Sequence, residues 1–128
     1  MSLVFTCSDN IKFGASFSKH PDHEGVFVKH FFGKDSNDAL NNMEVRIVPD
    51  FQVSPHSHDN STEYFYVVEG EVEFGDGAEW LTVQKGDAFK APQGMVHAIR
   101  NSGRQTEEDL TRPGRDNRAP ANIKTCTY

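Results

Sequence analysis

The sequence predicts an all-β domain, a barrel or sandwich built from short strands. Three observations carry this: apolar and polar residues alternate over short stretches, turn-forming Gly, Pro, Asn and Asp punctuate them regularly, and no segment shows a convincing helical repeat. At 128 residues the chain fits one domain over 1–128. A core of that size buries about two thirds of the unfolded surface.

The elements follow in order. Val26 to Phe32 has the β-branched and aromatic content of a strand, after a polar loop at His20-Pro21-Asp22-His23. It is read as an exposed apolar run that covers one end of the core or pairs with a partner. Residues 34–42 are turn-rich. Met43, Val45 and Ile47 alternate with Glu44 and Arg46, the signature of a half-buried strand. A strand carrying His56 and His58 comes next, then Glu63 to Glu69 closed by Gly70. Glu71 to Phe74 turns at Gly75-Asp76-Gly77 into Ala78 to Val83, a hairpin. Ala88 to Ala91 leads to Pro92-Gln93-Gly94, and Met95 to Arg100 to Asn101. The core is thus read as about 26–101. Residues 102–128 are read as a polar tail, loop-like from Gln105 to Pro120, with strand-like content at Ile123 to Tyr128 that is expected either to supply a last strand within 122–128 or to pair with a partner subunit.

Charge and composition exclude several classes of function. A net charge of -6 gives no positive field for nucleic acid or an anionic membrane surface. The arginines at 104, 112, 115 and 118 are offset by Glu107, Glu108, Asp109 and Asp116 and read as a solvated tail. The first residues turn polar too early for a signal peptide, and no apolar run is long enough to span a bilayer, so a cytoplasmic location is expected. Cys7 and Cys126 stand far apart and are read as ordinary thiols. Asn60-Ser61-Thr62 is a chance sequon in that setting. There is no GxSxG elbow, P-loop or paired CxxC.

What chemistry remains lies between Pro55 and Asn101. His56 and His58 are two apart, which on a strand aims both side chains to one face, and Glu63 opens the following strand and can face them. With His97, three imidazole nitrogens and a carboxylate oxygen would leave one or two positions of an octahedral ion open, as a catalytic site requires. Nitrogen and hard oxygen donors without thiolate favour Fe or Mn, one divalent transition metal per chain, with Ni, Co, Zn and Cu as competitors. By parity Phe65 and Val67 point inward with Glu63, and Ile99 with His97, lining an apolar pocket for a small-molecule ligand. His20 and His23 flank Pro21 without a third ligand nearby in sequence and are read as solvent-exposed.

These residues also carry a resemblance. His56-Ser57-His58, four residues, Glu63, six residues and Gly70, followed later by Gly86, five residues, Pro92-Gln93-Gly94, two residues, His97, three residues and Asn101, resemble the two motifs of the cupin superfamily. With background frequencies of roughly 5 to 7% for residues such as Pro and Gly, nine matches at set spacings do not arise by chance. The resemblance covers Asp50 to Asn101 and implies a double-stranded β-helix, the jelly-roll or cupin barrel, of the small single-domain metal-binding kind. It implies His56, His58, Glu63 and His97 as the metal ligands. Its members include dioxygenases, decarboxylases, isomerases and lyases beside non-enzymatic binders and sensors. The expectation is therefore an Fe- or Mn-dependent, dioxygenase-like enzyme on a small oxygen-bearing molecule, with a non-catalytic binding or sensor protein as the alternative. One departure is Asp50, where the first motif has Gly; Asp tolerates left-handed backbone better than most residues. The apolar run at Val26 to Phe32 would gain from pairing, so a homodimer is expected.

Overall fold

The computed structural model describes residues 17–32, 41–103 and 118–127. Cys7, most of the 34–42 loop and the stretch 104–117 with three of the four arginines lie outside them. Ten strands are described: β1 (Ser18–Lys19), β2 (Val26–Phe32), β3 (Asn41–Ile47), β4 (Gln52–His56), β5 (Glu63–Glu69), β6 (Glu71–Gly75), β7 (Trp80–Gln84), β8 (Ala88–Ala91), β9 (His97–Arg100) and β10 (Ala121–Thr127). They form two antiparallel sheets, ordered β1-β2-β3-β10-β5-β8 and β4-β9-β6-β7. This is the all-β architecture that the alternation and turn signals predict, and it is consistent with the jelly roll that the resemblance implies.

The alternation in β5 works as read: Glu63, Phe65 and Val67 are buried, while Tyr64 and Tyr66 are exposed. The hairpin β6-β7 pairs Gly75 with Trp80. At its tip the Asp76 carboxylate accepts hydrogen bonds from the amides of Ala78 and Glu79, both at 2.8 Å, which hold its pKa below the ordinary value.

Asp50 adopts φ 75°, so the left-handed turn that glycine would make is preserved by a residue able to make it. Gly70, between β5 and β6, has φ 84°, and a Cβ there would press on the backbone of Ala121.

Two expectations change. The run at Val26 to Phe32 is not an exposed apolar face: Val26 and Val28 are buried, and β2 pairs with both β1 and β3. Nor does the core end at residue 101. Strand β10 lies between β3 and β5, with Ala121, Ile123 and Thr125 buried. Its inward face contributes to the same cluster as Ile47, Val67, Val72 and Ile99. The last strand expected within 122–128 is therefore present and completes the larger sheet, starting one residue earlier, at Ala121.

Asn101 explains how the chain returns. Its buried side-chain amide donates to the carbonyls of Ile47 (3.0 Å) and Ala119 (3.2 Å), and its Oδ1 accepts from the Gly103 amide (3.1 Å). That amide ties the end of β3 to the residues that lead into β10. Beside it Arg118 pairs with Asp50 at 2.9 Å, so this arginine is engaged rather than simply solvated.

Candidate metal centre

His56, His58, Glu63 and His97 come together: one donor atom from each lies within 4.8 Å of the other three, a cluster that could hold a metal ion. The four arrive from different places. Glu63 opens β5 in the larger sheet, whereas His56 closes β4 and His97 opens β9 in the smaller one, where the two histidines are cross-strand partners. The β4-β9 register shifts by one residue between Val53 and His56. Pro55 sits in that bulge, where a strand tolerates a residue with no N–H to donate. The bulge lets both Val53 and His56 face the interior although they are three residues apart.

His58 is not on a strand, contrary to the reading above; β4 ends at His56. Its loop is fastened from the other side of the site. The Gly94 amide donates to the His58 carbonyl at 2.8 Å, and the Gln93 side chain donates to the carbonyl of Asp59. Gly94 has φ 81°, which explains a glycine in that turn.

Each strand-borne histidine has its Nδ1 engaged by backbone: His56 with the carbonyl of Ser54 at 2.7 Å, His97 with that of Met95 at 3.1 Å. A carbonyl can only accept, so Nδ1 carries the proton and Nε2 keeps its lone pair for a metal. The Nε2 of His97, on a side chain only 2% exposed, makes no well-formed hydrogen bond among the described residues. Glu63 Oε1 stands 3.3 Å from it and 3.2 Å from His58 Nε2. A buried, unpartnered imidazole nitrogen beside a carboxylate is what a set of metal donors presents, and the residues fit such an ion. Behind His97 the rings of Phe65, Phe74 and Phe89 pack together, Phe65 stacked on Phe89 at 4.9 Å and edge-on to His97 at 5.8 Å.

Electrostatics separate the histidines. Burial lowers the pKa of His56, and the neighbouring His97 and His58 add to this against the Ser54 carbonyl. Burial also acts downward on His97, but the Glu63 carboxylate and the Met95 carbonyl outweigh it, and the net shift is upward.

The cluster opens on a cavity of about 340 Å³, within the range of small-molecule sites. Phe65 and Ile99 are on its wall, as parity indicates. Val67 is not: it faces inward but is sealed in the core opposite Ile123. His20, read above as solvent-exposed, lines the cavity. Its Nδ1 accepts the Asp22 amide at 3.0 Å, which puts its proton on Nε2. Burial and the nearby His23 lower its pKa. Asn41, Thr125 and Thr127 also line the cavity. None had a sequence signal, because only the pairing of β10 with β3 and β5 brings them there.

The profile of the cupin domain family matches residues 43–107. The chain is 42% identical over 62 residues to germin-like protein subfamily 2 member 2 of Arabidopsis thaliana, an alignment covering 44% of this chain and 28% of that protein. It is 35% identical over 54 residues to the rhicadhesin receptor of Pisum sativum, covering 38% and 25% respectively. The matches thus span about a quarter of the length of these curated relatives. Among solved structures, a predicted oxalate decarboxylase of Thermotoga maritima superposes with a TM-score of 0.67 at 18% identity over 88% of this chain and 90% of that one. The polyketide cyclase RemF of Streptomyces resistomycificus gives 0.67 at 17% identity, over 99% and 78%. At such identities these likenesses establish the fold.

Two outcomes are expected. His97→Ala removes one of four donors and should lower metal occupancy of the purified protein sharply, while full occupancy would refute the assignment. Imidazoles must be neutral to coordinate, so occupancy should fall as pH drops through about 6. In the metal-free protein the histidines oppose each other. The raised pKa of His97 contributes stability present below about 6.5 and lost as pH rises through its folded value; the lowered pKa of His56 contributes stability present above about 6.5 and lost as pH falls. The metal-loaded protein should therefore lose melting temperature more steeply between pH 7 and 5 than the same protein in chelator, and metal retained at pH 4 would contradict a histidine-rich site.

Proposed function

This chain belongs to the cupin domain family, and on that premise we propose that it is a metal-dependent enzyme, an oxygenase acting on a small oxygen-bearing organic molecule at an Fe or Mn ion. The observation that carries the reading is the cluster of three histidines and one glutamate opening on an apolar cavity of about 340 Å³. His56, His58, Glu63 and His97 would hold the ion. When bound, it supplies Lewis-acid polarisation and a platform for a chelating oxygen pair. The chain's own residues do the rest. Met43, Val45, Val53, Phe65 and Ile99 form the apolar wall that displaces water from the substrate. His20, with its pKa lowered, puts an ionisable group on the same wall where a proton could be taken up or released. A predicted oxalate decarboxylase and a polyketide cyclase share this fold, so the fold selects no reaction.

Metal analysis of the purified protein, followed by an oxygen-consumption screen with catechols, diketones and flavonols, tests the reading. Bound metal with turnover of one class is the expected result. Metal without turnover of any would favour the non-catalytic binding or sensor protein, and a metal-free protein that takes up none of the six ions would overturn both.

We further propose a homodimer. With β2 paired on both sides, the supporting surface is the outer face of the larger sheet, where Tyr64 and Tyr66 are 46% and 48% exposed. Light scattering should give twice the monomer mass; a single species of monomer mass would refute it.

A further inference from the structure

The wall of the cavity formed by β3 and β10 contains polar groups with no hydrogen-bond partner among the described residues. Thr125 is 4% exposed, and its hydroxyl has no hydrogen-bond partner among the described residues. The side-chain oxygen of Asn41 is likewise buried and unpartnered. Both residues line the same cavity as the His/Glu cluster. Native proteins rarely leave such groups unpaired, and those they do leave call for a ligand or a special role. The surroundings offer no alternative: the cross-strand neighbours of Thr125 are Met43 on β3 and Phe65 on β5.

Strand register relates these groups to the cluster. Asn41, Thr127 and Glu63 lie side by side on β3, β10 and β5, so that a row of polar residues runs across three strands from the glutamate. At roughly 4.8 Å per strand, Asn41 and Glu63 are about 10 Å apart along the sheet. Thr125 is the next inward position on β10, about 7 Å along the strand from Thr127. We propose that Thr125 and Asn41 form an anchor for the far end of the ligand. The matching ligand class is a flat, largely apolar molecule of about two fused rings, with a chelating oxygen pair at one end and a hydroxyl group at the other. The hydroxyl of Thr125 and the amide of Asn41 each both donate and accept, so they can receive that group in either direction. This inference rests on the proposed function, since the near end of the ligand is placed at the metal.

The test uses the metal-loaded full chain and two probes, naphthalene-2,3-diol and naphthalene-2,3,6-triol, which share the chelating pair and differ by one remote hydroxyl. Calorimetry should show the triol binding about tenfold more tightly, the amount expected of one hydrogen bond to a buried, otherwise unpaired group. Thr125→Val, which keeps the volume, and Asn41→Ala should each reduce the triol toward the affinity of the diol. Because the hydroxyl of Thr125 has no partner to lose, T125V should melt no lower than the parent protein. Equal binding of the two probes by the parent, a tenfold preference that survives both substitutions, or a fall of several degrees in the melting temperature of T125V would each overturn the anchor. If neither probe binds, substrate placement at the metal fails and the anchor falls with it; diol binding without a triol preference removes the anchor alone.

Discussion

The architecture depends on the insertion of β10 between β3 and β5. Seven of its residues pair with β3 and six with β5, so among the described strands it joins the β1-β2-β3 half of the larger sheet to β5-β8. Were it absent, two strand edges would lie unpaired and Ile123, Ala121 and Thr125 would leave holes in the interior. The partners are distant in sequence, so forming this contact carries an entropic cost of chain closure. The local devices that offset this cost are the Asn101 side chain, bonded to Ile47 and Ala119, and the Asp50–Arg118 pair. The asparagine that ends the second sequence motif thus acts at a distance from the metal donors, as the clasp that returns the chain to the sheet.

The candidate metal centre depends on the same joint. His56 and His97 belong to the smaller sheet, Glu63 to the larger, and His58 to a loop held by Gly94 and Gln93. The donors converge because the two sheets face each other across a common core, with Phe65 and Phe74 bridging behind His97. By fixing β5, β10 fixes Glu63; by presenting Thr125 and Thr127 to the cavity, it also shapes what can lie beside the cluster.

Most of the strands and the four residues that cluster at the candidate metal centre were legible in the sequence, and the reasons are local. Side-chain alternation is a property of two or three successive residues, which is why Glu63, Phe65 and Val67 read correctly as one buried face. Gly70 and Gly94 mark positive φ, and Asp50 shows the same constraint met by a different residue. The misreadings have one cause. Parity says which face a side chain is on but not how far along that face the cavity extends, so Val67 was placed on its wall. Composition says that Val26 and Val28 are apolar but not that β1 and β3 flank them. His20 lies in a polar loop and shows its proximity to the cavity only once that loop is folded beside β2.

By itself, then, the sequence determined the class of fold, the turn positions and the residues that form the His/Glu cluster, because each is written in spacings of a few residues and in backbone geometry that few amino acids adopt. Tertiary structure alone decided where β10 goes, which polar groups reach the cavity and which histidine beyond the four stands on its wall. Those outcomes depend on pairing between segments as far apart as Asn41 and Thr127, which burial of a shared face selects and no local pattern encodes.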